Sequence, residues 1–588
     1  MTDLAGRLSE AASAAFEDLG LDPDFGRVVR SNKPELADFQ CNGAMAAAKA
    51  AKRPPRDIAA DLAARLEGDA LVGRVDVAGP GFLNLNVTDA ALAARAAEIK
   101  TDPKAGGGAA PDPETIVLDF GGPNVAKPMH VGHIRSAVIG DTLQRLFRFL
   151  GDKVVSDTHL GDWGLQMGLL IVALADERPE LPYFDTANEG PFPAEPPVTI
   201  EDLGRLYPQA SARSKEDEAY KNRAEIAVSE MQAGRAGYRA LLRHFIDVSV
   251  AALKTDYAFL DVSFDLWKGE SDVDHLIPDI VQTYRDKGLA EEDRGELIVR
   301  VARENDKKET PPLKLINREG GTGYHATDIA TIVDRVEAIG PDRMIYVVDQ
   351  RQALHFEQVY RAVDLAGIFP EDKLEHIGFG TMNGTDGKPF KTREGGVLRL
   401  ADLNAMMFEA AAKKIEEAGR LPEDMGADER ADVAAKVARA ALRFADLQNT
   451  RTQNYVFDLD RFMSFEGKTG PYLLYAAVRI KSILRRAGEE GLAAGEITVA
   501  HQAERDLVLA LDGFATALAQ SREKRMPHIL CEHVYNLAQA FSVFYTDCPI
   551  ATADDAGTRA SRLALAEAVL KQLETGLGLL GIDAPERM

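Results

Sequence analysis

Cysteine and tryptophan are nearly missing from this chain, at three and two of 588 residues. Cys41, Cys531 and Cys548 form no CxxC pair and no Cys/His cluster, which argues against a disulfide framework and a structural zinc site. Reduced, buried thiols are expected instead. Long apolar runs are missing too: none approaches the roughly 18 residues that span a bilayer. The opening Met1-Thr2-Asp3-Leu4 carries neither a basic n-region nor an apolar h-region, so no signal peptide is expected and a cytoplasmic location is. Positive charge is in deficit, with 69 Lys and Arg against 93 Asp and Glu and a net charge of −24. That balance disfavours general polyanion binding and leaves room only for a local basic face. No fixed-period repeat is present.

What is present is length and pattern. A chain this long exceeds one hydrophobic core and implies three to five domains. Residues 1–110 read as a small α+β unit: helical spacing from Leu4 to Leu19, then alternation from Val75 to Val87 around Gly79-Pro80-Gly81. The Gly-rich stretch from Lys104 to Asp112 reads as a linker. From 111 to about 401 strands and helices alternate. Strands are expected at 115–120, 153–157, 312–317, 344–349 and 374–380, and helices at 131–150, 326–338 and 352–366. This favours a doubly wound parallel sheet. An insertion at about 170–300 interrupts it, opening with six prolines between 176 and 200. Residues 402–588 read as an all-helical bundle, with amphipathic stretches at 402–418, 429–447, 471–487, 502–522, 528–546 and 559–581.

The chemistry concentrates at Asp119-Phe-Gly-Gly-Pro-Asn-Val-Ala-Lys-Pro-Met-His-Val-Gly-His133, between an apolar strand and a helix. Composition alone predicts about 0.02 chance occurrences of His-x-Gly-His in such a chain, so the tetrapeptide carries information. At the carboxyl end of a strand, with a helix N-terminus following, His130 and His133 can donate hydrogen bonds to phosphate oxygens. Gly132 lets a ligand approach the backbone closely. A second segment, Gly380 to Gly396, is Gly-rich and carries Lys388, Lys391 and Arg393, cations suited to a transient polyphosphate.

The two segments resemble the signature motifs of class I aminoacyl-tRNA synthetases: His130-Val-Gly-His133, and Lys388-Pro-Phe-Lys391-Thr392 in place of Lys-Met-Ser-Lys-Ser. The wider text resembles the arginyl family, through Pro123 to Ser136, His159 to Gln166, Tyr324-His-Ala-Thr-Asp328, Gly387 to Arg393 and the terminal Pro585-Glu-Arg-Met588. The resemblance covers nearly the whole chain. It implies a multidomain α/β protein: a Rossmann-like catalytic domain with insertions, a small α+β N-terminal domain and a C-terminal helical bundle. It also implies ATP, with Mg²⁺, as a substrate, L-arginine and tRNA(Arg) as the other two, and a monomer.

The resemblance also distributes roles. Lys127, His130, His133, Lys388 and Lys391 are the expected catalytic residues, and His130, Gly132, His133, Lys391 and Thr392 the expected ATP contacts. Asp119, Asn124, His133, Tyr324, Asp328 and Gln352 are the expected arginine pocket. Phe82 and Asn84 are expected to grip the tRNA elbow. Arg479, Arg486 and Met588 are expected near the anticodon, within a basic stripe that also holds Lys481 and Arg485. His159, Asp162, Trp163 and Gln166 are expected to line the substrate region. No residue is assigned to a metal.

The chain departs from the pattern in two places. The lysine motif lacks its Met and both Ser, a change that the family commonly pairs with a lysine before His-x-Gly-His, and Lys127 fits. Gly122 stands where many relatives have Ser. Two rivals share parts of this reading: a same-fold nucleotidyl-transferring enzyme without tRNA, and a non-catalytic tRNA-binding relative.

Overall fold

The computed structural model describes residues 2–318, 321–384, 387, 398–417, 419, 422 and 424–588. The chain forms two compact units. One comprises Met1–Pro111, Ala411–Gln448 and Asp460–Met588; the other comprises Asp112–Ala410 and Asn449–Leu459.

In the second unit four parallel strands lie in the order Leu374–His376, Arg343–Val347, Thr115–Phe120, Lys153–Asp157. Thr115–Phe120 has a strand on each side, and Ile116, Val117, Leu118 and Phe120 are accordingly almost wholly buried. Its first crossover, through the helix Ile134–Leu150, leads to the neighbour Lys153–Asp157. The chain later returns to the opposite side as Arg343–Val347. The strand order therefore reverses between Thr115–Phe120 and Arg343–Val347, where open sheets of this kind hold their ligands. Ser136 pins that point: its hydroxyl accepts from Gly121 N at 2.8 Å and donates to Val347 O at 2.6 Å.

One expected strand belongs elsewhere. Leu313–Ile316 is a strand, but it pairs antiparallel with Glu296–Val299 in a separate three-stranded sheet and takes no part in the parallel one. The insertion contributes three long helices, Ile200–Glu216, Glu218–Gln232 and Ala236–Leu260. The last reaches the loop after the first parallel strand, where Tyr257 Oη donates to Gly121 O at 2.5 Å and Ser249 Oγ accepts from Ala126 N at 2.9 Å.

The first unit holds an antiparallel sheet, in the order Val28–Arg30, Phe39–Cys41, Phe82–Val87, Val72–Ala78, with helices from both ends of the sequence. The expected hairpin is present, with Ala78 opposite Phe82. The expected helix at 502–522 is two, Gln502–Asp512 and Phe514–Lys524, broken at Gly513. The N-terminal residues share this unit with the C-terminal helices through buried charge. Arg95 Nε meets Asp512 at 2.6 Å, and the same carboxylate caps Leu4 N at 3.1 Å. Arg505 pairs with Asp38 at 2.9 Å, and Gln572 donates to Ala105 O at 2.8 Å.

Candidate active site

The loop after the first parallel strand is built by close backbone approaches. Gly121 has φ +76°, and a Cβ there would lie 2.8 Å from Tyr257 Oη. A Cβ on Gly122 would lie 2.4 Å from the carbonyl oxygen of His159. The neighbouring loops are latched by backbone bonds, Val125 N to Gly161 O at 3.0 Å and Gly161 N to Pro123 O at 3.3 Å. Gln166 donates to Val125 O beside them. In this backbone a serine at 122 would collide with residue 159, so glycine here goes with a tighter loop.

His130 and His133 lie at the short helical turn Val131–His133, which runs straight into Ile134–Leu150. His130 Nδ1 accepts from Gly132 N at 3.0 Å, and His133 Nδ1 accepts from His130 N at 3.1 Å. With Nδ1 occupied as an acceptor on each ring, the neutral ring carries its proton on Nε2. Burial pushes His133 down to about 4, with His130 and Lys127 adding repulsion. Burial and then Lys127 lower His130 as well. The rings lie 4.0 Å apart. Two neutral Nε2–H donors side by side can serve phosphate oxygens without bringing fixed charge.

These rings open on a cleft of about 520 Å³ that also gathers Asp119, Asn124, Gly132, Asp328 and Gln352. Seven expected substrate residues, scattered from 119 to 352, thus line one space at the strand ends. Asp328 lies on the helix Tyr324–Ile339 and takes His355 Nε2 at 2.5 Å.

Other expected residues have partners of their own. Asp119 already holds a guanidinium, that of Arg335, at 2.6 Å, and Arg335 spans to Asp157 at 2.8 Å. Burial raises the Asp119 carboxyl, opposed by Arg335 and His159. Tyr324, one turn before Asp328 on the same helix, is 71% exposed and lies along a hollow with Trp163 and Glu270. The Lys127 ammonium sits 4.8 Å above the Tyr207 ring and acts electrostatically on both His130 and His133.

His159 lines the cleft, while Trp163 is packed under Arg239 and Asp162 is bound to Ser271 N at 2.9 Å. Asn84 is buried, its side-chain oxygen accepting from Gln40 at 3.0 Å, and Phe82 beside it is half-buried. Arg479 and Arg486 are exposed and Met588 half-buried. Lys481 of the same stripe is neutralised by Glu574 and Glu586. Lys388, Lys391, Thr392 and Arg393 lie outside the described residues.

Four residues that sequence reasoning missed shape the site. Arg335 is one; its signal is an arginine seven positions after Asp328 on an otherwise apolar helical face. His355 is the second, three residues beyond Gln352. Arg135 is the third: buried in the first turn after His133, it donates to Gly380 O and Gln453 O, each at 2.9 Å. It thereby ties the histidine turn to the segment that leads toward Lys388. Glu270 is the fourth, raised to about 7 by burial and facing His159, Asp162 and Asp328.

The arrangement has counterparts among known proteins. Residues 97–459 match the family model described as "tRNA synthetases class I (R), catalytic domain". The chain belongs to the arginyl-tRNA synthetase family. Residues 2–87 match the arginyl-tRNA synthetase N-terminal domain, and 473–588 match the DALR anticodon binding domain. Two proteins named arginine–tRNA ligase are similar over their whole lengths: that of Hyphomonas neptunium is 68% identical, and that of Maricaulis maris 59%, each covering 100% of both chains. Among solved structures, the arginyl-tRNA synthetase of Thermus thermophilus is 25% identical, with a TM-score of 0.79 over 100% of both chains.

Proposed function

We propose that this member of the arginyl-tRNA synthetase family is an arginine–tRNA ligase whose two substrate-activating ends lie in the one cleft. The observation that carries the reading is the meeting of paired Nε2–H donors at His130 and His133 with the Asp328 carboxylate in that cleft. The arginine carboxylate attacks the α-phosphorus of ATP and diphosphate leaves, giving arginyl-adenylate. The terminal ribose hydroxyl of tRNA(Arg) then attacks the adenylate carbonyl and AMP leaves. No side-chain nucleophile is needed, so the protein contributes position and electrostatics.

His130 and His133 donate to phosphate oxygens as charge moves in the transition state. Gly132 keeps that approach open, and Lys127, Lys388, Lys391 and Thr392 supply the remaining phosphate contacts. Asp328 takes the substrate guanidinium with Gln352 and Tyr324, Asn124 takes the α-amino group, and His133 borders both substrates. Asp119 acts through Arg335, as the floor of the pocket. Mg²⁺ accompanies the nucleotide, bound by phosphate and water as part of the substrate.

The remaining assignments follow the chain order: 1–110 toward the tRNA elbow through Phe82 and Asn84, 111–401 for catalysis, and 402–588 toward the anticodon. In the last, exposed Arg479 lies 4.6 Å over Tyr545, a pairing suited to phosphate contact and base stacking. A monomer acting in the cytoplasm completes the reading. The test is diphosphate exchange with each amino acid, with and without tRNA. Exchange with arginine only, and only when tRNA is present, supports it; exchange with another amino acid, or none under any condition, overturns it.

A further inference from the structure

Asp328 and His355 come from different helices, Tyr324–Ile339 and Ala353–Leu365, and meet at the wall of the cleft. Their side chains are 28% and 26% exposed, so each keeps one side toward the open space. His355 Nε2 lies 2.5 Å from Asp328 Oδ2. The His325 ring packs against His355 with centroids 4.7 Å apart, and Phe356 makes a T-shaped contact at 5.4 Å. Two rings thus hold the imidazole, and through it one oxygen of the carboxylate. A guanidinium is planar and binds a carboxylate best when the carboxylate plane is fixed in advance. A half-exposed aspartate with nothing to hold it would lose that alignment among rotamers.

We propose that His355 is a positioning residue for arginine recognition: it orients the Asp328 carboxylate toward the substrate guanidinium. The inference rests on the reading of Asp328 as the guanidinium ligand. The Nε2–H of the ring donates to one carboxylate oxygen and leaves the other for the substrate.

Other groups face this pair. His325 is lowered by burial and by His355, with Lys314 beyond it. Glu270, raised to about 7 by burial, interacts electrostatically with Asp328. Tyr346 is held neutral by burial, and Asp349 and Arg351 are paired with each other at 2.7 Å.

The experiment measures arginine KM and kcat in aminoacylation by the full-length protein for the wild type, His355→Ala, His355→Gln and Asp328→Ala. His355→Ala is expected to raise arginine KM roughly tenfold or more while kcat falls by less, the signature of a lost ground-state alignment. His355→Gln keeps an N–H donor and should recover most of the KM. An unchanged KM in His355→Ala overturns the proposal. So does a His355→Gln KM as high as that of His355→Ala. If His355→Ala does not fold, His355→Phe, which fills the space without an N–H, replaces it. If Asp328→Ala leaves arginine KM unchanged, the assignment of Asp328 itself fails. If only Asp328→Ala has an effect, Asp328 stands and His355 has no part in recognition.

Discussion

The two ends of the cleft solve opposite electrostatic problems. At the histidine end the groups are kept neutral: burial and mutual repulsion hold His133 near 4, so it offers a hydrogen and no charge. At the carboxylate end charge is kept and balanced. Arg335 sits fully buried between Asp119 and Asp157, while Asp328 stays half-exposed beside the His355 imidazole. An incoming polyphosphate brings its own negative charge and counterions, and needs donors that cost little to desolvate. A single guanidinium needs an anion left unneutralised. The difference sets Asp119, already paired with Arg335, apart from Asp328, which keeps one side toward the open space.

The comparison can be broken in order of expected effect. Arg335→Met should cost about 3–5 kcal/mol of unfolding free energy, because it strands two buried carboxylates; urea denaturation reads it. A loss below about 1 kcal/mol would mean that the floor is not charge-balanced as described. His133→Ala should lower adenylate formation about 10²–10³-fold with little change in arginine KM. Asp328→Ala should do the reverse, raising KM and leaving the phosphate step less affected. If both variants move the same parameter, the two ends do not divide the labour.

Gly122→Ala tests the latch between the ends. Its Cβ would press on the His159 carbonyl, and overpacking of this kind typically costs about 1–3 kcal/mol. Wild-type stability and kinetics in this variant would show that the loop gives way freely.

The smallest effect concerns Glu270. Its folded-state value, about 7, lies above the unfolded one, so the folded protein binds more protons between roughly pH 4.5 and 7. Stability should therefore fall as pH rises through that window, and Glu270→Gln should remove that slope. Denaturation midpoints at several pH values decide it, and parallel profiles for variant and wild type would refute it.

Much of the histidine end was legible in the sequence because it is local. One strand, one turn and one helix N-terminus occupy 119–133, and the bonds between His130, Gly132 and His133 span at most three residues. The floor was not legible, because Asp119, Asp157 and Arg335 come from three elements that only the folded sheet brings together. His355 escaped notice for the same reason. Alternation located Leu313–Ile316 as a strand but said nothing of its partner, since strand pattern does not encode which sheet receives it.

The buried pair of Arg95 and Asp512 has a consequence in time. Its partners are separated by 417 residues, and a ribosome adding about 5–20 residues per second needs roughly 20–80 s to cover that distance. Throughout that interval the N-terminal segment has been made and its counter-charge has not. Arg95 must stay hydrated, and Leu4 N uncapped, until Asp512 has been synthesised. Residues made early thus reach their final surroundings late, and the order of synthesis is not the order of folding.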